Sequence, residues 1–323
     1  ETTNQLEYDD EVAHFACQKL YQLARGREDR PWCLTVSFTH PHDPYVARRK
    51  YWDLYTDCPA LHPDIPALDF DQHDPHSRRL FIANDYQNFD ISPSDIARSR
   101  QAYFANISYL DEKIGDVLAV LKNTRMAEDT IILFCSDHGD MLGERGLWFK
   151  MSFLEGSART PLLISAAGLP SRKIDRAVSN LDILPTLCDL AGLDMTQIEP
   201  WTDGESLLPI ILSDKQRAPV PMEYAAEGSY APLVAMVDGA MKYIVCALDP
   251  DQMFDLAGDP HEQVNLADAP RWAETAQKMR RKIEEKWSLS AFDDAVRHSQ
   301  SRRLIVYQAL RNGSYFPWDY QPL

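Results

Sequence analysis

Three nearly continuous runs of apolar and β-branched residues, 31–38, 130–135 and 161–165, alternate with amphipathic stretches along this chain. An unbroken apolar run is the pattern of a strand covered on both faces, as the strands of a parallel sheet are. Val12, Phe15, Ala16, Leu20 and Leu23 recur at helical spacing within 10–24. Tyr103, Ile107, Ile114, Val117, Leu118 and Leu121 do the same within 98–123. A further helix is expected over 182–191, stopped by Gly192. Strands alternating with helices predict the α/β class: a doubly wound, mostly parallel sheet flanked by helices. Ligands of such sheets gather beyond the carboxyl ends of the strands. Chemistry is therefore expected just after Phe38 and just after Cys135.

Other stretches set the organisation. Residues 39–97 are rich in Pro, Asp and His and read as a long irregular loop, the kind that serves as a lid or a substrate wall. From about residue 200 the pattern changes to short strands (233–237, 241–247), turns at Asp238-Gly239 and Gly258-Asp259-Pro260, and a helix over 270–287. This predicts residues 1–200 as part of a main α/β domain and 201–290 as a small antiparallel sheet-plus-helix subdomain. Residues 291–323 form a tail ending in Tyr315-Phe316-Pro317-Trp318-Asp319-Tyr320, expected to dock on something rather than enter a core. The opening Glu1-Thr2-Thr3-Asn4-Gln5 has neither an initiator Met nor a strand, so the chain is expected to be the later portion of a longer one.

Composition excludes some partners. No run of about 18 apolar residues exists, so no membrane helix is expected. The formal charge of −16 opposes nucleic-acid binding and favours a cationic ligand. Six cysteines are scattered without paired spacing and several lie in apolar runs, which predicts buried free thiols and a reducing compartment, the cytoplasm.

The densest chemical signal is Ser136-Asp137-His138-Gly139-Asp140-Met141-Leu142-Gly143-Glu144. A carboxylate and an imidazole side by side on a strand-to-loop turn can face one cation, and the glycines let the backbone come close. Residue types alone leave a cation site and a helix-capping turn, with Asp137 as the cap, equally open. The second signal is His40-Pro41-His42-Asp43-Pro44, two histidines in a loop stiffened by two prolines. His62, His73 and His76 are read as surface residues of the polar loop.

The run from Asp137 to Glu144, then Leu147-Trp148-Phe149-Lys150 and Glu155-Gly156-Ser157-Ala158-Arg159-Thr160-Pro161, resembles the metal and sulfate segment of sulfatases, the choline-sulfatase branch in particular. The resemblance implies an alkaline-phosphatase-like fold, Asp137 and His138 as ligands of a divalent metal (Ca2+ foremost, Mg2+ or Mn2+ otherwise), and Lys150 as a clamp on sulfate oxygens. A lysine suits that place as a point charge beside developing negative charge. His42 is similar to the family histidine that hydrogen-bonds sulfate and can protonate the leaving alcohol; His40 has no such counterpart and reads as structural. Phe254-Asp255-Leu256, Asp259-Pro260, Glu262 and Asn265-Leu266-Ala267 resemble a family hairpin and cap without chemistry, as does Leu181-Asp182-Ile183-Leu184-Pro185-Thr186.

The stretch Met222–Tyr230 resembles the part of the branch that sets a carboxylate near a quaternary ammonium, which implies Glu227 and, beside it, Tyr230 as substrate-binding residues. Aromatic faces and a carboxylate hold such a cation, because it donates no conventional hydrogen bond. The tail is similar to those of the same branch, and that resemblance implies a homo-oligomer, dimer or tetramer, in which Asp319 reaches a neighbouring pocket. The family nucleophile is a formylglycine made within a Cys/Ser-x-Pro/Ala-x-Arg motif. No cysteine or serine here stands in that motif, and the Asp-Asp pair that completes the family metal site is also missing. The resemblance thus implies hydrolysis of choline sulfate only together with a missing N-terminal segment, and inactivity of this chain alone. Two other readings stay open: phosphonate monoester or phosphodiester hydrolysis on the same fold, and a non-catalytic sulfatase-like module.

Overall fold

The structure, a computed structural model, describes residues 2–26, 30–213 and 215–313. In chain order its main elements are α1 (Asn4–Arg25), α2 (Arg49–Trp52), α3 (Pro75–Ala83), α4 (Pro93–Asn123), β1 (Ile132–Cys135), α5 (Glu155–Ala158), β2 (Leu162–Ser165), α6 (Ile183–Leu190), α7 (Leu208–Ser213), β3 (Val220–Tyr224), β4 (Leu233–Asp238), β5 (Met241–Cys246), β6 (Asp249–Asp255), α8 (Ala273–Lys286) and α9 (Leu289–Arg311). The class is α/β. None of the helices, searched over the described residues, is long and apolar enough to cross a membrane.

α1 and α4 pack against each other. Each begins with a side-chain cap: Thr3 accepts from Leu6 N at 3.2 Å, and Ser92 forms a capping box with Asp95 ahead of Pro93. Their inward faces differ from those predicted. α1 buries Leu6, Asp9, Ala13, Ala16 and Leu20, while Phe15 is 61% exposed. α4 buries Ala102, Ala105, Tyr109, Val120 and Leu121, and leaves Ile107 and Leu118 at the surface. The reason is polar. The Asp9 carboxylate accepts from Thr39 N at 2.8 Å and His40 N at 2.9 Å, and its Oδ2 lies 2.7 Å from His40 Nδ1. An apolar count takes no notice of an acid that belongs inside.

Residues 31–38, predicted as a buried strand, have no strand pairing, and Trp32 and Cys33 are exposed. A strand needs a neighbour to complete its ladder, and no other described strand supplies one. β1 and β2 form where predicted and pair antiparallel, Ile132 opposite Ser165 and Cys135 opposite Leu162. The 39–97 stretch is not structureless: it holds α2, α3 and several one-turn 3-10 pieces. Within it His73 and His76 are buried at 4% exposure each, against the surface placement predicted, while His62 is exposed. All six cysteines are free, but only Cys188 and Cys246 are buried; Cys33, in the unpaired 31–38 segment, and Cys135, at the end of β1, are exposed.

The second sheet, β3-β4-β5-β6, is antiparallel throughout. Alternation splits its side chains between two apolar layers. Val234, Met236, Tyr243, Val245 and Met253 pack on Ala276, Met279 and Ile283 of α8. On the other face Leu233, Ala235, Ile244 and Phe254 meet Phe153, which comes from the loop after β1. Asn265, read as a cap, instead clamps β6: its Oδ1 accepts from Met253 N at 2.9 Å and from Ala267 N at 3.0 Å, and α8 starts only at Ala273. α9 stands where a tail was expected and buries none of its residues. Trp318, Asp319 and Tyr320 lie outside the described residues.

Candidate active site

The turn leaving β1 caps no helix. Asp137 Oδ1 accepts from His138 N at 2.9 Å, and its side chain is 84% exposed. The His138 Nδ1–H donates to the Gly139 carbonyl at 2.8 Å, which leaves a lone pair on Nε2. That nitrogen faces Asp137 Oδ2 at 3.5 Å. Two acceptors facing each other call for a cation or a proton between them, and a backbone carbonyl on the far ring nitrogen is how metal-ligating histidines are oriented. The pair therefore fits as part of a divalent-cation site. No third His, Cys, Asp or Glu joins it among the described residues, well short of the six or more oxygens that Ca2+ takes.

Gly139 is needed for space. A Cβ there would lie 2.2 Å from the Gly156 carbonyl oxygen, while Gly139 N donates to Ser157 O at 2.7 Å. The next acid joins three segments. Asp140 Oδ1 accepts from Leu142 N at 2.9 Å and Phe149 N at 3.0 Å, and Oδ2 accepts from the Tyr45 hydroxyl at 2.6 Å. Burial pushes the Asp140 carboxyl above its usual range. Tyr45, Tyr103 and Tyr86 lie nearby; burial first, and the Asp140 charge second, push all three phenols up, that of Tyr103 to about 12.

Lys150 and His42 meet across this junction. Lys150 Nζ donates to His42 Nε2 at 3.0 Å, a contact between residues 108 apart in sequence. The His42 Nδ1–H in turn donates to the Asp43 carbonyl at 2.7 Å. The backbone on both sides of Lys150 is left-handed, φ 63° at Phe149 and 83° at Met151, a conformation non-glycine residues adopt only when held. What holds it is on every side: Asp140 on Phe149 N, the Tyr86 hydroxyl on Trp148 O at 3.1 Å, and His76 Nε2 on Met151 O at 2.7 Å.

Glu227 and Tyr230 lie on a separate loop after β3. The Tyr224 hydroxyl donates to Glu227 O at 2.9 Å and lies 3.3 Å from Glu227 Oε2. Tyr230 is 71% exposed, with the Arg79 guanidinium 5.3 Å from its ring centre. Thus His42 and Lys150 touch, Asp137 and His138 sit beside each other, and Asp140 ties the segments that carry all four. Glu227 and Tyr230 make no direct hydrogen bond to them, and Asp319 lies outside the described residues. Asp140, Tyr45, His76 and Arg79 were not singled out from sequence. Asp74-Pro75, a cap residue followed by an N1 proline, was the available signal for α3 and its His76 and Arg79.

A family model described as "Sulfatase" matches residues 2–193, one described as "N-sulphoglucosamine sulphohydrolase, C-terminal" matches 143–288, and one described as "Choline sulfatase enzyme C terminal" matches 294–323. The choline-sulfatase of Rhizobium meliloti (strain 1021) is 59% identical, over 100% of this chain and 64% of its own length. The multifunctional alkaline phosphatase superfamily protein PehA of Trinickia caryophylli is 28% identical, over 89% of this chain and 61% of its own. This chain therefore spans less than two thirds of either relative. Among solved structures, the phosphonate monoester hydrolase of Agrobacterium radiobacter superposes with a TM-score of 0.70 at 26% identity, over 85% of this chain and 60% of that one. A sulfatase structure from Bacteroides thetaiotaomicron, at 20% identity and a TM-score of 0.72 over 91% of this chain and 66% of that one, shares the fold.

Proposed function

This chain belongs to the sulfatase family and has its alkaline-phosphatase-like fold, and on that premise we propose that it forms part of a sulfuric-ester hydrolase whose substrate is choline sulfate, released as choline and sulfate. The observation that carries the reading is the Lys150–His42 pair, 3.0 Å apart, on loops that Asp140 ties to the Asp137-His138 turn. In it Lys150 neutralises charge growing on the sulfuryl oxygens. His42 Nε2, which accepts from Lys150 here, delivers a proton to the ester oxygen when the ring carries a second proton and that contact gives way to substrate. Asp137 and His138 would hold a divalent cation. When bound, that cation supplies further positive charge to the sulfuryl oxygens, and a formylglycine, expected outside these 323 residues, supplies the attacking oxygen. At the other end Glu227 and the Tyr230 ring bind the trimethylammonium group, which the overall charge of −16 also favours.

A second reading has its own support. The phosphonate monoester hydrolase structure superposes over 85% of this chain, so phosphonate monoester or phosphodiester cleavage on the same fold is the competing activity. Turnover of choline sulfate by the complete protein should exceed that of a neutral aryl phosphodiester; faster phosphodiester cleavage would sink the first reading. Glu227→Gln is expected to raise KM for choline sulfate about tenfold, the order of a lost charge contact to a desolvated cation, with KM for aryl sulfates little changed. Equal losses on both substrates would remove Glu227 from the ammonium site.

For partners, we assign the C-terminal half of α9, apolar and exposed all round, to a second copy of this chain. Leu304, Ile305, Val306, Tyr307 and Leu310 are each more than half exposed there, and the choline-sulfatase C-terminal family model begins inside that helix. Sedimentation of the complete protein should show a dimer or tetramer that Ile305→Asp dissociates; a wild-type monomer at micromolar concentration would refute the assignment.

A further inference from the structure

We propose that α3 is a bracket that sets the distance between the anion-holding and cation-holding halves of the pocket, with His76 and Arg79 as its positioning residues. The inference rests on the reading of Lys150 and Glu227 given above. The start of the helix is fixed by Asp74, whose Oδ1 accepts from His76 N at 3.0 Å and Ser77 N at 3.1 Å. His76, the second residue of the helix, faces both halves at once. On one side its Nε2–H donates to the carbonyl of Met151, the residue after Lys150, at 2.7 Å. On the other its ring meets the edge of Tyr224 at 5.5 Å, and the Tyr224 hydroxyl holds Glu227. Burial pulls the His76 imidazole below its usual range, which keeps it neutral and suits a single N–H donor.

The next residues of the same face complete the bracket. Arg79 Nε donates to Gly228 O at 2.8 Å, and its guanidinium stacks on Tyr230. Arg79 is itself locked by a two-pronged pair with Asp249 of β6, at 2.8 and 2.5 Å. Gly228, at φ +71°, sits so close to Leu80 that a Cβ would lie 2.8 Å from Leu80 Cδ2. The left-handed turns flanking Lys150 and the loop carrying Glu227 and Tyr230 are therefore both seated on one rigid helix. A helix that only filled space would not donate to a carbonyl on each loop.

The test uses the complete enzyme with choline sulfate and an aryl sulfate. His76→Leu should lower kcat on both substrates by about 30- to 100-fold, the scale of a misplaced catalytic group. His76→Gln, whose amide can reach the same carbonyl, should recover activity to within about fivefold of wild type. In a Lys150→Ala background His76→Leu should cost almost nothing more, because coupled residues lose their shared contribution once. Arg79→Met combined with Asp249→Leu leaves no buried charge unpaired, and should raise KM for choline sulfate about tenfold relative to KM for the aryl sulfate. If His76→Leu fails to fold, His76→Asn, too short to reach Met151, replaces it. Undiminished loss from the His76 change in the Lys150→Ala background, or equal KM changes for the two substrates in the Arg79 variant, would overturn the bracket. Lys150→Ala and Glu227→Gln without effect would instead overturn the reading beneath it.

Discussion

Lys150→Ala in the complete protein is expected to lower kcat/KM for choline sulfate about 10²- to 10³-fold, the size of effect seen when one pre-aimed charge or donor is taken from a developing anion. The melting temperature should hardly move. Lys150 buries no partner, and among the described residues its hydrogen bond runs to the part-exposed ring of His42, so the change is of the surface kind that stays within about 0.5 kcal/mol. Steady-state kinetics with a parallel unfolding curve decide the matter. A variant within tenfold of wild type would show that Lys150 is not the clamp. The surrounding backbone sharpens the expectation, since the left-handed residues at Phe149 and Met151 are held by at least three hydrogen bonds whose joint result is the aim of this one side chain.

Lys242→Met should have the largest effect on stability, a loss of about 3–5 kcal/mol, because it strands the buried Glu262 carboxylate and unpairs the half-buried Glu155. Lys242 has no exposed surface. Its Nζ donates to Phe153 O at 2.7 Å, Glu155 Oε1 at 2.6 Å and Glu262 Oε1 at 2.9 Å. Glu262 is itself nearly buried, and its other oxygen accepts from Glu155 N at 2.7 Å. Burial already pushes the Glu262 carboxyl up, with Lys242 pulling against it. Without the lysine the folded-state value rises further, so the folded form holds its proton more tightly than the unfolded chain does. That contribution is present below the unfolded value and lost as pH rises through the folded one. The variant should therefore lose less at pH about 5 than at pH about 8 relative to wild type. Urea unfolding at both values tests it, and an equal loss at both would contradict the assignment. Lys242→Met with Glu262→Leu should recover much of the stability. The triad also fixes Phe153, which packs under the second sheet three residues after Lys150.

Much of this was legible from local pattern. β1, β2, β4, β5 and α8 lie close to the predicted segments, because burial on a sheet or along a helix stripe imposes a period that the residues must show. The Asp137-His138 turn and the His40–Pro44 loop stood out because each follows an apolar run, whereas the roles expected of His42 and Lys150 rested on the resemblance of their segments to sulfatases. Other features left no such trace. The inward face of α1 turns on Asp9, whose burial is repaid by His40 and two backbone donors that no periodicity reveals. α3 is too short to show a stripe, so His76 looked like a surface residue of a polar loop and Arg79 gave no signal. The exposure of Cys33 and Cys135 depends on whether a neighbour pairs with and covers each segment, and hydropathy reports only that the segment could be covered.

The sequence alone determined the α/β class, the order of the motifs and the kinds of side chain available, since these follow from periodicity and chemical type within short windows. Only the tertiary structure decided which of them meet. His42 and Lys150 are 108 residues apart, Tyr45 and Asp140 are 95 apart, and Arg79 and Asp249 are 170 apart. Contacts at such separations are set by how whole elements pack, and a half-buried carboxylate such as Asp140 finds its donors only once that packing has brought them within 3 Å.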